Sequence, residues 1–221
     1  MELILTQKIL ARLYTDAALR EQFLADPRSV QEEFGLTGAE LHSLTRLPQA
    51  QLEYFAASLV RKRAREVSKL LPVTARAMGG AFEPAFHSFA ERFRPAGIKK
   101  HCDDAVTFAV FLRKWAREGA LAPRWLGDLA SYEAANLEAT HSTRRFTATF
   151  LQYAVAETVA LAARWNYLPS VEARQAIAVW FRLSRWSGVW HFTLPLPTRA
   201  EQLTVLRLND RPSGGAASTG L

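Results

Sequence analysis

The densest run of reactive side chains in this sequence is His101-Cys102-Asp103-Asp104, directly after Lys99-Lys100. Imidazole, thiolate and carboxylate all ligate metals, so the run invites a metal centre. Its spacing argues against one. Consecutive helical residues point about 100° apart, and helical metal sites use positions such as i and i+4. The two aspartates instead suit the opening of "AVTFAVFLRKWA", as a cap and as first-turn charges on its dipole. His42, His87, His141 and His191 are scattered, with no His-x-x-x-His or His-x-Glu pairing. There is no Gly-rich phosphate loop and no Gly-x-Ser-x-Gly elbow. The expectation is a chain with no metal, no cofactor and no catalytic residue of its own.

Composition narrows the setting. The chain carries a net charge of +7, with a pI near 9.9, which favours an acidic partner: nucleic acid, peptide or protein surface. A single cysteine, Cys102, excludes an internal disulfide framework and suits a reducing compartment. No run of about eighteen uncharged apolar residues exists, so no membrane span is expected. "MELILTQKILARLY" reads as a first helix and not as a signal peptide. The expected location is the cytoplasm.

The elements that must position any site are well punctuated. Asp16 precedes "AALREQFLA", and Asp26-Pro27 is a cap followed by a first-turn proline. Gly35 stops the helix "RSVQEEF", and Thr37 with Glu40 has capping-box spacing. A long helix is expected from about Gln49 to Leu71, ended by Pro72. Helices follow at about 102–118 and 123–139. Beyond Thr140 the texture changes: "RRFTATF" is strand-like and "LQYAVAETVALAARW" has helical spacing. "AIAVWFRL", "VWHFTLP" and "LTVLRL" are β-branched and aromatic, and the "SRWSG" between the first two predicts a hairpin. The fold class is α+β, mainly α: a helical domain over 1–140, a small α/β domain with an antiparallel sheet over 141–209, and a disordered Gly/Ser/Ala-rich tail over 210–221.

The stretch "LVRKRAREVSKLLP" divides on a helical wheel. Leu52, Phe55, Ala56, Leu59, Val60, Val67, Leu70 and Leu71 form one apolar stripe, and Arg61, Arg65 and Lys69 repeat every four residues opposite it. Arg63 falls inside the stripe, where an unpaired charge would cost several kcal/mol, so it needs a carboxylate. Glu66, one turn on, and Asp104, on the side of Phe108 and Phe111, are the candidates for this structural ion pair.

Four segments resemble a known family when taken in order: "LARLYTDAALREQFLADPRSVQEEFGL", "LVRKRAREVSKLLPVTAR", "KKHCDDAVTFAVFLRKWA" and "WLGDLASYEAANLE". They are similar to the small partner subunits of TIM-barrel, multinuclear non-haem iron oxygenases. Those enzymes modify cysteine in ribosomally made peptides of the methanobactin and 3-thiaglutamate types. The resemblance implies a heterodimer in which the barrel subunit holds the iron and this chain binds the leader of the precursor peptide. The 3-thiaglutamate type is the nearer one; there the complex excises the β-carbon of a C-terminal cysteine. Charge and strand alternation, and not the family, select Trp180, Arg182, Arg185, Trp186, Trp190 and His191 for peptide contact. Alternation puts Trp180 and Arg182 on the face left open. Arg61, Arg65 and Lys69 are selected for the barrel-subunit contact. The alternative reading is a basic helical nucleic-acid-binding regulator, although the chain has no zinc-finger spacing and no RNP-like strand.

Overall fold

The computed structural model describes residues 2–93, 100–141, 144–165, 170–182 and 188–197. It is α+β and mainly α. The first four helices are α1 (Glu2–Thr15), α2 (Ala17–Ala25), α3 (Pro27–Phe34) and α4 (Gly38–Thr45). Their boundaries follow from local chemistry. The Asp16 carboxylate accepts from the Leu19 N–H, Asp26 accepts from the Arg28 N–H ahead of Pro27, and Gly35 ends α3 with φ of 65°. Thr37 and Glu40 form the reciprocal capping box that their spacing predicts. Ile9, Leu13, Leu19, Phe23, Val30, Leu36, Leu44 and Leu52 close a first core.

α5 (Gln49–Leu70) leaves that core and enters a second one. At 22 residues it is about 33 Å long, enough to reach both. Leu52 belongs to the first core, and Ala64 and Val67 to the second. Between them the expected stripe is interrupted: Phe55 and Leu59 are exposed at 41% and 38%. Both are turned away from the side of α5 on which Glu53, Ala57 and Val60, with Tyr14 and His87, border an open groove of about 520 Å³. The Phe55 ring meets Tyr14 of α1, with centroids 5.5 Å apart.

α6 (Pro72–Met78), a 3-10 turn (Gly79–Ala81), α7 (Phe82–Ala90), α8 (Lys100–Glu118) and α9 (Trp125–His141) build the second core. Phe82, Phe86, Phe89, Phe108 and Phe111 form a connected aromatic cluster within it. α8 and α9 pack closely because position 127 is glycine; a Cβ there would stand 2.9 Å from both Ala116 Cβ and Arg113 Cα.

The remaining elements are β1 (Phe146–Leu151), α10 (Val155–Trp165), β2 (Ala176–Phe181) and β3 (Trp190–Pro195). They form a three-stranded antiparallel sheet of order β1-β2-β3, with Trp180 opposite Thr147 on one side and His191 on the other. β2 and β3 pair antiparallel, as the expected hairpin requires, and residues 183–187 of its connection lie outside the described residues. "LTVLRL" and the tail lie outside the described residues. The second core runs without a break across residue 140, since Leu151, Ala178 and Trp180 are buried in the same cluster as the α8 and α9 side chains.

Candidate functional site

The two faces of the sheet differ completely. Thr147, Thr149, Leu151, Ala176, Ala178, Trp180, His191, Thr193 and Pro195 share the face turned toward α9. Phe146, Ala148, Phe150, Ile177, Val179, Phe181, Trp190, Phe192 and Leu194 share the other, and every one of them is apolar. Trp190 is 60% exposed and Leu194 51%, and no described residue lies over this face. Its aromatic side chains gather across the strands, Phe181 stacking on Trp190 and meeting Phe192 edge-on. The ring of large side chains shelters Val179, which is only 8% exposed.

The expectation that Trp180 and Arg182 face a peptide is therefore corrected. Trp180 is 1% exposed, its indole N–H donates to the Asn136 side chain at 3.1 Å, and Tyr132 and His191 flank its ring. Alternation pairs the right residues on each face, but α9 covers the face that carries Trp180. Arg182 Nη2 donates to the Ala139 and Thr140 carbonyls and so caps the C-terminal end of α9. His191 lies on the covered face at its β3 rim, where Nε2 is 3.1 Å from the Tyr132 hydroxyl. Burial lowers the His191 pKa and pushes that of Tyr132 up to about 12, so both are neutral near pH 7. Trp190 alone of the six is on the open face; Arg185 and Trp186 lie outside the described residues.

The buried acids have structural partners. Asp104, with no exposed surface, takes Arg63 Nη2 at 2.7 Å and Nε at 3.0 Å, while Nη2 also reaches the Phe93 carbonyl. Glu66 is corrected as a partner for Arg63: it binds Lys69 at 2.8 Å, and that bond lowers its pKa. Asp104 prevails because it sits on a neighbouring buried helix and offers both oxygens to the guanidinium fork. Glu133, on α9, accepts from the Val73 and Thr74 N–H groups at 2.9 and 2.7 Å, capping α6 where Leu71 supplies no side-chain cap. Asp128 accepts from the Gln152 and Tyr153 N–H groups at the end of β1. Burial raises the pKa of both carboxylates, against the pull of these hydrogen bonds.

His101, Cys102, Asp103 and Asp104 diverge around the first turns of α8. Asp104 is buried toward α5, Asp103 is exposed and Cys102 is half-buried. Among the described residues no three His, Cys, Asp or Glu side chains converge as a metal site would require. On α5, Arg61 stacks over Tyr54, with its guanidinium carbon 6.0 Å from the ring centroid, and Arg65 is exposed.

One feature was missed at the sequence level. α8 and β1 both pack on α9 and leave between them a groove of about 500 Å³, with Val106, Val110, Arg113, Lys114 and Arg117 along its α8 wall. Beside it a smaller cavity of about 240 Å³ adds Arg124. The signal was available in Arg113 and Arg117, four apart on one helix, with Arg124 shortly beyond. Nothing in the sequence placed them beside a strand.

Residues 47–114 match the family described as the SCO6045-like, C-terminal domain. The matched span opens just ahead of α5 and runs into α8, so it covers the Arg63–Asp104 pair and part of the groove wall. No curated protein matches the chain. No described helix is long and apolar enough to cross a membrane.

Proposed function

We propose that this chain is a non-catalytic partner subunit, acting in the cytoplasm, that holds the leader of a ribosomally made precursor peptide. It presents the peptide's cysteine to an iron-dependent oxygenase subunit of barrel fold, as the resemblance implies. The iron and the oxidation belong to that subunit, and 3-thiaglutamate-type β-carbon excision is the chemistry proposed for the complex. The observation that carries the reading is the sheet, whose outer strands have edges that no described strand pairs and whose outer face is wholly apolar. Such an edge accepts an extended peptide as a further strand. The match over residues 47–114 is consistent with this kind of partner protein.

Energetics define what else the site must supply. A net backbone hydrogen bond contributes about 0.5–1.5 kcal/mol, so four of them give about 2–6 kcal/mol. Micromolar binding needs about 8 kcal/mol, before the cost of ordering the peptide. Side-chain contacts must provide the remainder, and the apolar face and the basic groove are the surfaces that suit that role.

The test is co-expression with a barrel enzyme of that kind and a short cysteine-containing precursor peptide. A stable heterodimer whose iron fractionates with the barrel subunit is expected. Tightly held stoichiometric iron in this chain alone would overturn the assignment. The nucleic-acid alternative predicts duplex binding whose affinity falls steeply with salt, and a titration of duplex DNA against the precursor peptide at two salt concentrations separates the two readings.

A further inference from the structure

We infer that the groove between β1 and α8 seats the captured strand and selects a peptide segment carrying carboxylates. This rests on the peptide-capture reading and adds to it the edge used and the chemistry of the substrate.

The register decides which backbone groups are free. The Arg182 N–H donates to the Arg145 carbonyl, so Thr147, Thr149 and Leu151 are the β1 residues bonded to β2. Phe146, Ala148 and Phe150 therefore direct their N–H and C=O groups outward, into the groove. The Phe150 carbonyl already accepts from Arg113 Nη2, which marks where pairing would stop. The opposite edge of the sheet, on β3, ends in Pro195, and the cavity that Thr193 and Pro195 line with Ala156 and Glu157 of α10 is smaller, about 120 Å³. Ala134 and Ala135 of α9 form part of the groove floor, leaving room for a chain, and Val110 is 64% exposed on the wall.

Charge then specifies the occupant. Arg113, Lys114, Arg117 and Arg124 gather at the Phe150 end of the groove and its adjoining cavity. The acid among them, Asp128, is engaged by two backbone N–H groups and lies 3.8 Å from Arg113 Nε. That nitrogen is buried and finds no hydrogen-bond acceptor. Among the described residues, Glu138 pairs with Arg144 and Glu118 with Lys114. Arg117 and Arg124 have no ion-pair partner among the described residues. Arg117 stands in the last turn of α8, where the helix dipole favours a cation, but Arg124 lies beyond the helix and has no such role. A cluster in which Arg117 and Arg124 lack an ion-pair partner among the described residues, beside a free strand edge, is complementary to a β-type segment followed by Asp or Glu.

The experiment uses the full chain and a displayed library of random peptides about twelve residues long. Selected binders are expected to carry clustered Asp or Glu beside β-branched or aromatic residues. Their affinity should fall roughly ten-fold or more in Arg117→Glu/Arg124→Glu, with Arg117→Gln/Arg124→Gln intermediate, and hardly at all in Arg61→Glu/Arg65→Glu. It should also fall in Val110→Arg, which fills the groove from an exposed position, with thermal unfolding confirming that each variant folds. Binders that lack carboxylates yet are lost in Val110→Arg would overturn the acidic assignment and leave strand capture at this groove standing. Binders indifferent both to Val110→Arg and to the arginine variants would overturn the groove. A library that yields no binder would overturn strand capture itself.

Discussion

The two faces of the same three strands have opposite fates. On the face toward α9, Trp180 is buried, its N–H is satisfied by Asn136, and Tyr132 and His191 pack against its ring. One residue away, Phe181 turns outward into an apolar field that includes Trp190 and Phe192 and has no described cover. A large, wholly apolar exposed field is uncommon on a protein that acts alone. The lesson is that aromatic content by itself does not mark a binding face. The distinction lies in which aromatic side chains have their polar atoms satisfied and their surface covered within the chain.

Four measurements would break or sharpen that contrast. Trp180→Ala should be the most damaging, costing about 3–5 kcal/mol in chemical denaturation, because it opens a cavity beneath the sheet. Asp128→Ala should cost about 1–3 kcal/mol, since it leaves the Gln152 and Tyr153 N–H groups at the end of β1 without their acceptor.

A smaller effect is expected from pH. Burial holds the folded-state pKa of His191 below its ordinary 6.5, so its contribution is whole above that value and is lost as pH falls through the lowered one. Asp128 and Glu133 have the opposite sign. Their pKa values are raised from 3.8 and 4.5, so their contribution is present below those values and is lost as pH rises through the raised ones. Comparing wild type with His191→Asn isolates the histidine: between about pH 7.5 and about pH 5 the wild type should lose stability relative to the variant. The least effect on stability should come from Trp190→Ser/Phe192→Ser, which gives up two cross-strand aromatic contacts and should cost about 1 kcal/mol by denaturation. If that double variant unfolded as readily as Trp180→Ala, the open face would have to be a covered one.

Legibility followed the range of the forces involved. Asp16, Asp26-Pro27, Gly35 and the Thr37–Glu40 box were readable because a cap is formed by residues two to four apart. The need of Arg63 for a carboxylate was also readable, and the choice of Asp104 over Glu66 required the approach of α8 to α5. The capping of α6 by Glu133 was invisible, because about sixty residues separate donor from acceptor. Sequence pattern misplaces Trp180 for one reason: period-2 alternation assigns residues to two faces without saying which face a helix will cover.

By itself, the sequence determined that this chain would be mostly helical, basic, and finished by short strands whose residues alternate between two faces. Those properties depend on composition, capping and periodicity, all of which act over a few neighbouring residues. Tertiary structure decided that α9 would cover the Trp180 face, that no described residue would cover the opposite, apolar face, and that Arg113, Arg117 and Arg124 would gather beside β1. Those outcomes depend on Gly127 admitting α9 to within contact of the α8 backbone and on carboxylates meeting distant N–H groups. Contacts of that kind are set by packing among elements far apart in the chain, and local pattern carries no record of them.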